Sequence, residues 1–502
     1  MTSESHPTHA RGRTQPYDDN HRSTRAALVP WVRERTWPLV VWGAMLAWFA
    51  ALFFTVRSEF VEFRLARFDL GNMTQAVWST AHGRPLEVTD TTGEQVIRLA
   101  GHVDPILVLL APVWIVFPTP LMLAAVQIAA CSLGALPVFW LARRHLGSEQ
   151  VAGLLAFAYL AYPWLAWTAL DAFHPVTLAI PLFLFAIWFL DSGRLWAFAA
   201  CAVLILATGE LMGLSLAALG LWYWRARGQR RAGLAISVAG FAWTLVCLAL
   251  IVPAFRGEEN RFYERFESVG GSPTGVVRTV FTDPGAIVAA LTSMDDILYL
   301  LALGVPLVFA FLLAPRIALV ASPQLLVNAL SDFSPTTSPR THYIAAVVPF
   351  LIAATVLGLA RISPRGRHRV AVLVLGVSAT LGVALAPWDA VAGRDVVGFH
   401  TDLPPKHVAA LREAVALVPS SARVSTTNRA GSHLSERRYV YGIDVTGDAT
   451  WIVLDTWDAR VGEAGWQPAR FRVLWQRIEQ DPSWLKVYER DGVLVFERVR
   501  RG

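Results

Sequence analysis

Asp69 is the first residue whose type and place suggest chemistry. It stands in "RFDLGNMTQAVWSTAHG" (67–83), just beyond the oily run "WPLVVWGAMLAWFAALFFTV" (37–56). At helical spacing Asp69, Asn72, Gln75 and Ser79 share one face, and Leu70, Met73, Val77 and Ala81 share the other. That pattern predicts a helix lying in the membrane interface with its apolar side down. On spacing alone, a capping aspartate on a surface helix reads equally well.

Other titratable residues recur where apolar runs end. His102 and Asp104 stand in "GHVDP", at the mouth of a short run bounded by Pro105, Pro112 and Pro118. Asp171 and His174 stand in "DAFHP", a connection of about four residues between two apolar runs. Glu210 interrupts the apolar stretch "LILATGELMGLSL", where a buried carboxylate costs several kcal/mol unless it pairs or faces a cavity. Thr208-Gly209-Glu210 therefore reads as a turn between two short helices. "SPRTHY" adds Arg340, His342 and Tyr343, and "RFYERF" places Arg261 and Arg265 four apart, where they can share a helical face or pair with neighbouring glutamates. If Asp69, Asp171 and Glu210 converge, they offer an oxygen set for a divalent cation such as Mg or Mn.

The elements that must hold these residues are membrane helices. The 502 residues are 54% apolar, 16% charged and include 20 Trp, too little charge for a soluble protein, where it is roughly a quarter. About eleven candidate spans run at 37–56, 119–142, 151–170, 175–190, 195–208, 211–224, 232–253, 297–314, 317–330, 342–360 and 370–387. The net charge of +6 sits largely in short arginine-rich connections: Arg143/Arg144, Arg194, "RARGQRR" (225–231), Arg316 and "RISPRGRHR" (361–369). Basic loops face the cytoplasm, so the N-terminus is assigned there and a nucleic-acid role is excluded. Counting 104–118 as a span would invert every later loop, so it is taken as re-entrant or interfacial. Cys131, Cys201 and Cys247 all lie in apolar runs and offer neither a disulfide framework nor a spaced metal site.

This topology yields a polar, disordered basic segment at 1–36, a membrane domain at 37–390 with external loops 57–103 and 254–296, and an external α/β domain at 399–502. In the last, "KHVAALREAVALV" and "FRVLWQRIEQ" read as helices. "ARVSTT", "RYVYGI" and "WIVLDTW" read as strands, and "LKVYERDGVLVFERV" as a hairpin turning on Asp491-Gly492. Five external mouths then carry Asp, Glu or His, whereas the cytoplasmic loops carry chiefly arginine. That asymmetry points to a functional cleft on the outer face.

The order "FDLG…Q…W…HGRP", "GHVDPILVLLAPVWIVFPTPLMLAAVQ", "GALPVFWLARRHLG", "YPWLAWTALDAFHP" and "PQLLVNALSDFSPTTSPRTHY" closely resembles the bacterial DUF2079 membrane proteins, from about residue 60 onward. More distantly, it resembles the GT-C superfamily of polytopic glycosyltransferases, which use polyprenyl-phosphate sugars outside the cytoplasmic membrane. The resemblance implies an all-α polytopic fold in the plasma membrane with a soluble extracytoplasmic C-terminal domain, a lipid-linked donor and a glycan or protein acceptor. It makes Asp69 the first-loop acid, acting as base or orienting the acceptor, and His102 a site residue. Glu210 matches a turn that in relatives commonly carries a lysine. Thr208-Gly209 stands there instead, so any phosphate grip by that lysine is absent or supplied by Arg64, Arg67, Arg98, Arg261, Arg265, Arg340, His102, His174 or His342. The competing readings are a transporter or flippase, suggested by the interrupted runs at 195–224 and 297–330, and a noncatalytic envelope scaffold.

Overall fold

The computed structural model describes residues 20–256, 261–388, 403–458 and 468–499; side chains before residue 36 are outside this description. Most of the chain is helical. α1 (Asn20–Val61) begins inside the segment expected to be disordered and carries the first apolar run. Four helices are long and apolar enough to cross a membrane: Thr36–Val61, Pro120–Leu146, Arg230–Arg256 and Pro364–Leu385. Two bent pairs raise the number to six: Glu149–Leu160 with Pro163–Leu170 at 49°, and Pro284–Leu291 with Met294–Leu307 at 44°. The expected eleven is not reached on length and composition, because Pro175–Asp191, Leu195–Leu206 and Val348–Leu359 are short. Pro105–Val116 likewise falls short of the roughly 20 residues a straight span needs.

The local causes are readable. Thr119 caps Pro120–Leu133 by accepting the Leu121 N–H, with Pro120 in the first turn, where its missing donor costs nothing. The helix Ala135–Leu146 stops at Gly147, whose φ of 67° suits only a residue without a Cβ. Pro163 supplies no N–H and bends the chain toward Asp171.

Between α1 and Pro120 the chain builds the platform for Asp69. A single π-helical turn (Arg67–Gly71) runs into α2 (Asn72–Ala81), followed by the hairpin β1 (Glu87–Thr89) and β2 (Gln95–Ile97). α2 does not lie with one polar face in water. Gln75 and Ser79 are as buried as Met73 and Val77. The polar face is covered by the C-terminal domain: Gln75 Nε2 donates to the carbonyls of Arg437 and Arg438 and to Thr89 Oγ1.

That domain is an α/β unit. Its sheet runs β4 (Val440–Gly442), β3 (Val424–Thr426), β5 (Trp451–Asp455), β7 (Val493–Arg498), β6 (Trp484–Arg490). β3 is parallel to both β4 and β5, and the hairpin β6–β7 adds on antiparallel. Asp491 and Gly492 turn the hairpin with positive φ at both positions, as a two-residue turn requires. The helices Pro405–Leu417 and Pro468–Gln480 complete it, matching the sequence expectation.

The two parts share a core. Phe63, just beyond α1, is 2% exposed and packs with Leu411, Val424, Val440 and Val495 of the C-terminal domain. His433 stacks between Phe60 and Phe63 at 4.0 and 3.9 Å and donates from Nε2 to the Phe60 carbonyl at 2.9 Å. Burial holds His433 down at about 4, so it docks uncharged.

His407 is fully buried against Asp455, with Nε2 at 3.1 Å from Oδ1 and Nδ1 at 2.7 Å from the Asp491 carbonyl. Burial disfavours its charge, but the hydrogen bond and charge of Asp455 prevail and raise its pKa. The stabilisation from this pair is fully present below about pH 6.5, the unfolded value, and is lost as pH rises through the raised folded value. Protease resistance of residues 403–499 in the full chain is therefore expected to fall with rising pH, and His407→Ala to flatten that dependence. An equal pH response in the variant would remove His407 as its source.

Candidate functional site

The "DAFHP" turn is locked by one buried side chain that sequence reasoning passed over. Gln127, 1% exposed, accepts the His174 N–H at 2.9 Å and the Thr177 hydroxyl at 2.7 Å on Oε1. Its Nε2 faces the carbonyls of Thr168, Ala169 and Asp171. The one available signal was a glutamine inside the apolar run "PLMLAAVQIAACSL". With the turn held, the Asp171 carboxylate points at the "SPRTHY" segment. Oδ2 accepts the backbone N–H of His342 at 3.2 Å and its Nδ1–H at 3.1 Å.

His174 and His342 stack face to face, 3.7 Å between centroids and 18° between planes. Asp69 closes the group from the other side, its Oδ1 at 3.6 Å from His174 Nε2. The Asp69 side chain keeps 49% exposure, so part of the carboxylate stays open to an incoming molecule. Partial burial pushes its pKa up; the hydrogen bond and charge of His174, with the charges of His342 and Arg98, outweigh this and lower it. For His174, burial works against the charged form and the carboxylates of Asp171 and Asp69 prevail, raising its pKa. His342 goes the other way, to about 4, because burial and the neighbouring His174 charge both disfavour protonation.

Tyr343 extends the cluster. Its hydroxyl accepts from Arg265 Nη1 at 3.0 Å, and Arg265 also lies over the Phe333 ring at 4.2 Å. Arg340 sits over Trp167 at 4.9 Å, and Trp167 donates to the Leu385 carbonyl. The Arg261 side chain lies outside the described residues.

Glu210 and His102 form a neighbouring pair. His102 Nδ1 lies 3.3 Å from Glu210 Oε1, and Val103 N–H donates to Oε2 at 3.0 Å. Burial alone would raise the Glu210 carboxyl; the charge and hydrogen bond of His102, with backbone N–H donors, hold it at about 2. Asp104 is different in kind. It is buried in a bidentate pair with Arg98 at 2.8 Å, which serves packing and leaves no oxygen facing a cleft. Arg98 links the groups: its charge acts on Asp69, and its carbonyl accepts the His102 N–H at 3.2 Å. Asp69, Asp171 and Glu210 do not meet as one ligand set among the described residues. The group that does form joins Asp171 with His174 and His342.

At the opposite end of these helices Arg144, His145 and Arg227 converge on the buried side chain of Asp191. The carboxylate and histidine cluster and the arginine cluster are thus separated by the length of the helical body.

A family model described as "Predicted membrane protein (DUF2079)" matches residues 59–495, most of the chain. The chain belongs to the DUF2079 family. No curated protein matches it in sequence. Among solved structures, this DUF2079 chain resembles ArnT from Cupriavidus metallidurans bound to undecaprenyl phosphate, with a TM-score of 0.53 and 14% identity over 93% of this chain and 99% of that one. The apo form of the same protein gives 0.52 and 16%, over 94% and 98%. At such identity the likeness is one of fold.

Proposed function

We propose that this DUF2079 protein transfers a sugar from a polyprenyl-phosphate donor to an acceptor outside the cytoplasmic membrane. The observation that carries the reading is the half-exposed Asp69 carboxylate set against His174, Asp171 and His342 at one end of a GT-C-like helical body. ArnT, which shares that fold, was solved bound to undecaprenyl phosphate.

In the proposed reaction the acceptor O–H attacks the anomeric carbon. The bond from that carbon to the phosphate oxygen breaks, and its electron pair leaves with the lipid phosphate. Asp69 takes the acceptor proton. Arg265 and Arg340 supply the positive charge that a departing phosphate requires. His102 and Glu210 border this site through Arg98. An apolar groove lined by Val305, Val372, Gly376, Thr380 and Leu381 suits a polyprenyl tail. The helix bearing most of it, Pro364–Leu385, ends at the carbonyl that Trp167 grips beneath Arg340.

The test uses the full chain in sealed vesicles with a radiolabelled polyprenyl-phosphate sugar and a mixture of glycan acceptors. Label moving from the lipid to a water-soluble product is the expected result. Movement of intact donor across the bilayer without chemical change would favour the transporter reading, and neither would leave a scaffold. A reporter fused after residue 228 is expected to read cytoplasmic and one after residue 400 external; the reverse would sink the outer-face assignment.

A further inference from the structure

We propose that Asp171, His174 and His342 form a binding site for a divalent cation of the zinc class, with Asp69 as the outer carboxylate that orients His174. One donor atom from each of the three lies within 4.8 Å of the others. Both Nδ1 atoms face the same oxygen, Asp171 Oδ2, at 3.7 Å from His174 and 3.1 Å from His342. A tetrahedral zinc with ligands at about 2.0–2.1 Å separates its donors by roughly 3.3 Å, a value those two distances bracket.

The state of His174 is the second observation. Its Nδ1 is buried and has no hydrogen-bond partner, although a carboxylate and a second imidazole stand beside it. Most buried polar atoms in proteins are satisfied, and an orphan set between two further metal-ligating groups invites a ligand. Its other nitrogen, Nε2, lies 3.6 Å from Asp69. Metal-bound imidazoles characteristically direct their second ring N–H to a carboxylate, which fixes the tautomer and leaves a bare lone pair for the metal. With the proton on the Asp69 side, the orphan Nδ1 becomes that lone pair.

The donor types choose the ion. Two imidazole nitrogens and one carboxylate oxygen suit zinc or a similar transition ion, whereas magnesium and calcium take oxygen sets. This replaces the oxygen-only Mg or Mn set that sequence alone suggested. Three protein ligands leave one position open for water or a substrate oxygen, the pattern of working and not purely structural zinc sites. Loading requires the two stacked rings to turn so that their Nδ1 edges meet one point. The inference rests on this geometry and not on the transferase reading.

The experiment strips the full-length protein with a chelator, reloads it with Zn²⁺ alone, removes the excess and measures retained metal by mass spectrometry. About one zinc per chain is expected, and Co²⁺ in its place is expected to give the visible absorption of a tetrahedral site. His342→Ala and Asp171→Asn should lose both signals, and Asp69→Asn should weaken affinity by about 10–100-fold, as outer carboxylates do. Wild-type protein that retains no zinc, or variants that bind it unchanged, would overturn the proposal. Should the variants fail to fold, chemical modification of wild-type histidines decides: zinc is expected to protect His174 and His342, and equal modification with and without zinc refutes the site. None of these readouts needs turnover, so loss of the metal site leaves sugar transfer standing, and absent turnover with zinc bound counts only against transfer.

Discussion

Asp69→Asn lowers kcat for sugar transfer by about 10²–10⁴-fold, the contribution of a positioned proton acceptor, while the protein still folds and inserts. The substitution is nearly isosteric, and an amide oxygen can still accept from His174 Nε2, so the platform and the C-terminal contacts remain. What is lost is the negative charge and the basic oxygen on the exposed side of the carboxylate. A carboxylate whose pKa is depressed by His174 is a weak base. It serves best where the acceptor hydroxyl becomes acidic late, as its oxygen bonds to the anomeric carbon. The effect should therefore fall on kcat more than on KM, because the interaction strengthens only in the transition state. The check is product formation from labelled donor at saturating lipid and zinc, so that weakened metal affinity cannot mimic a lost base. Unchanged product formation removes Asp69 from the chemistry.

The sequence revealed the members of this cluster better than the way they are held. Asp69, Asp171, His174, His342 and Tyr343 were recognisable because each is polar or titratable at the end of an apolar run, and such ends gather on one side of a helical bundle. Pairing within the set was not recognisable. Asp104 is spent on Arg98, and Glu210 on His102 and Val103, because those partners approach from loops whose paths depend on tertiary packing. Gln127 escaped notice since one amide in a membrane helix carries no periodic signal, though it holds the turn that aims Asp171. The largest misreading was α2. An amphipathic pattern records two chemically different faces, and it cannot distinguish water from a polar protein surface. Here Gln75 meets the C-terminal domain, and Ser79 is buried by protein rather than exposed to water. Length and composition confirm four to six of the eleven expected spans, because short or bent helices do not pass as straight spans even where neighbouring protein can cover their ends.

That misreading leads to the second large effect. Asn428→Ala and Gly431→Val, both in the C-terminal domain, are expected to cut kcat by up to about 10²-fold, the loss that a misplacement of about 1 Å can cause. Asn428 Oδ1 accepts the backbone N–H groups of Arg67 at 2.9 Å and Phe68 at 3.1 Å, the two residues before Asp69. Those donors open a π-helical turn and have no carbonyl behind them, so the asparagine caps it from another domain. Arg67 is 6% exposed, donates to the Val440 carbonyl and runs against Gly431. A Cβ at Gly431 would stand 2.7 Å from Arg67 Cβ, and one at Gly71 would stand 2.5 Å from Ser435 Oγ. Glycine at both places lets the short helix Asn428–His433 come close enough to hold the Asp69 turn. Valine at 431 must push that helix and the turn apart, and overpacking of this kind costs about 1–3 kcal/mol. Deleting the whole domain is the poorer test, because it would strip the cover from Phe63, Arg67 and Gln75 together. Metal retention separates positioning from collapse: at saturating zinc both variants should still load about one ion per chain at Asp171, His174 and His342, with affinity weakened by no more than the Asp69→Asn change weakens it, while turnover falls. If turnover is unaffected in both, the C-terminal domain does not position Asp69. A fall in turnover with zinc retained means that the C-terminal domain sets the Asp69 carboxylate without touching substrate.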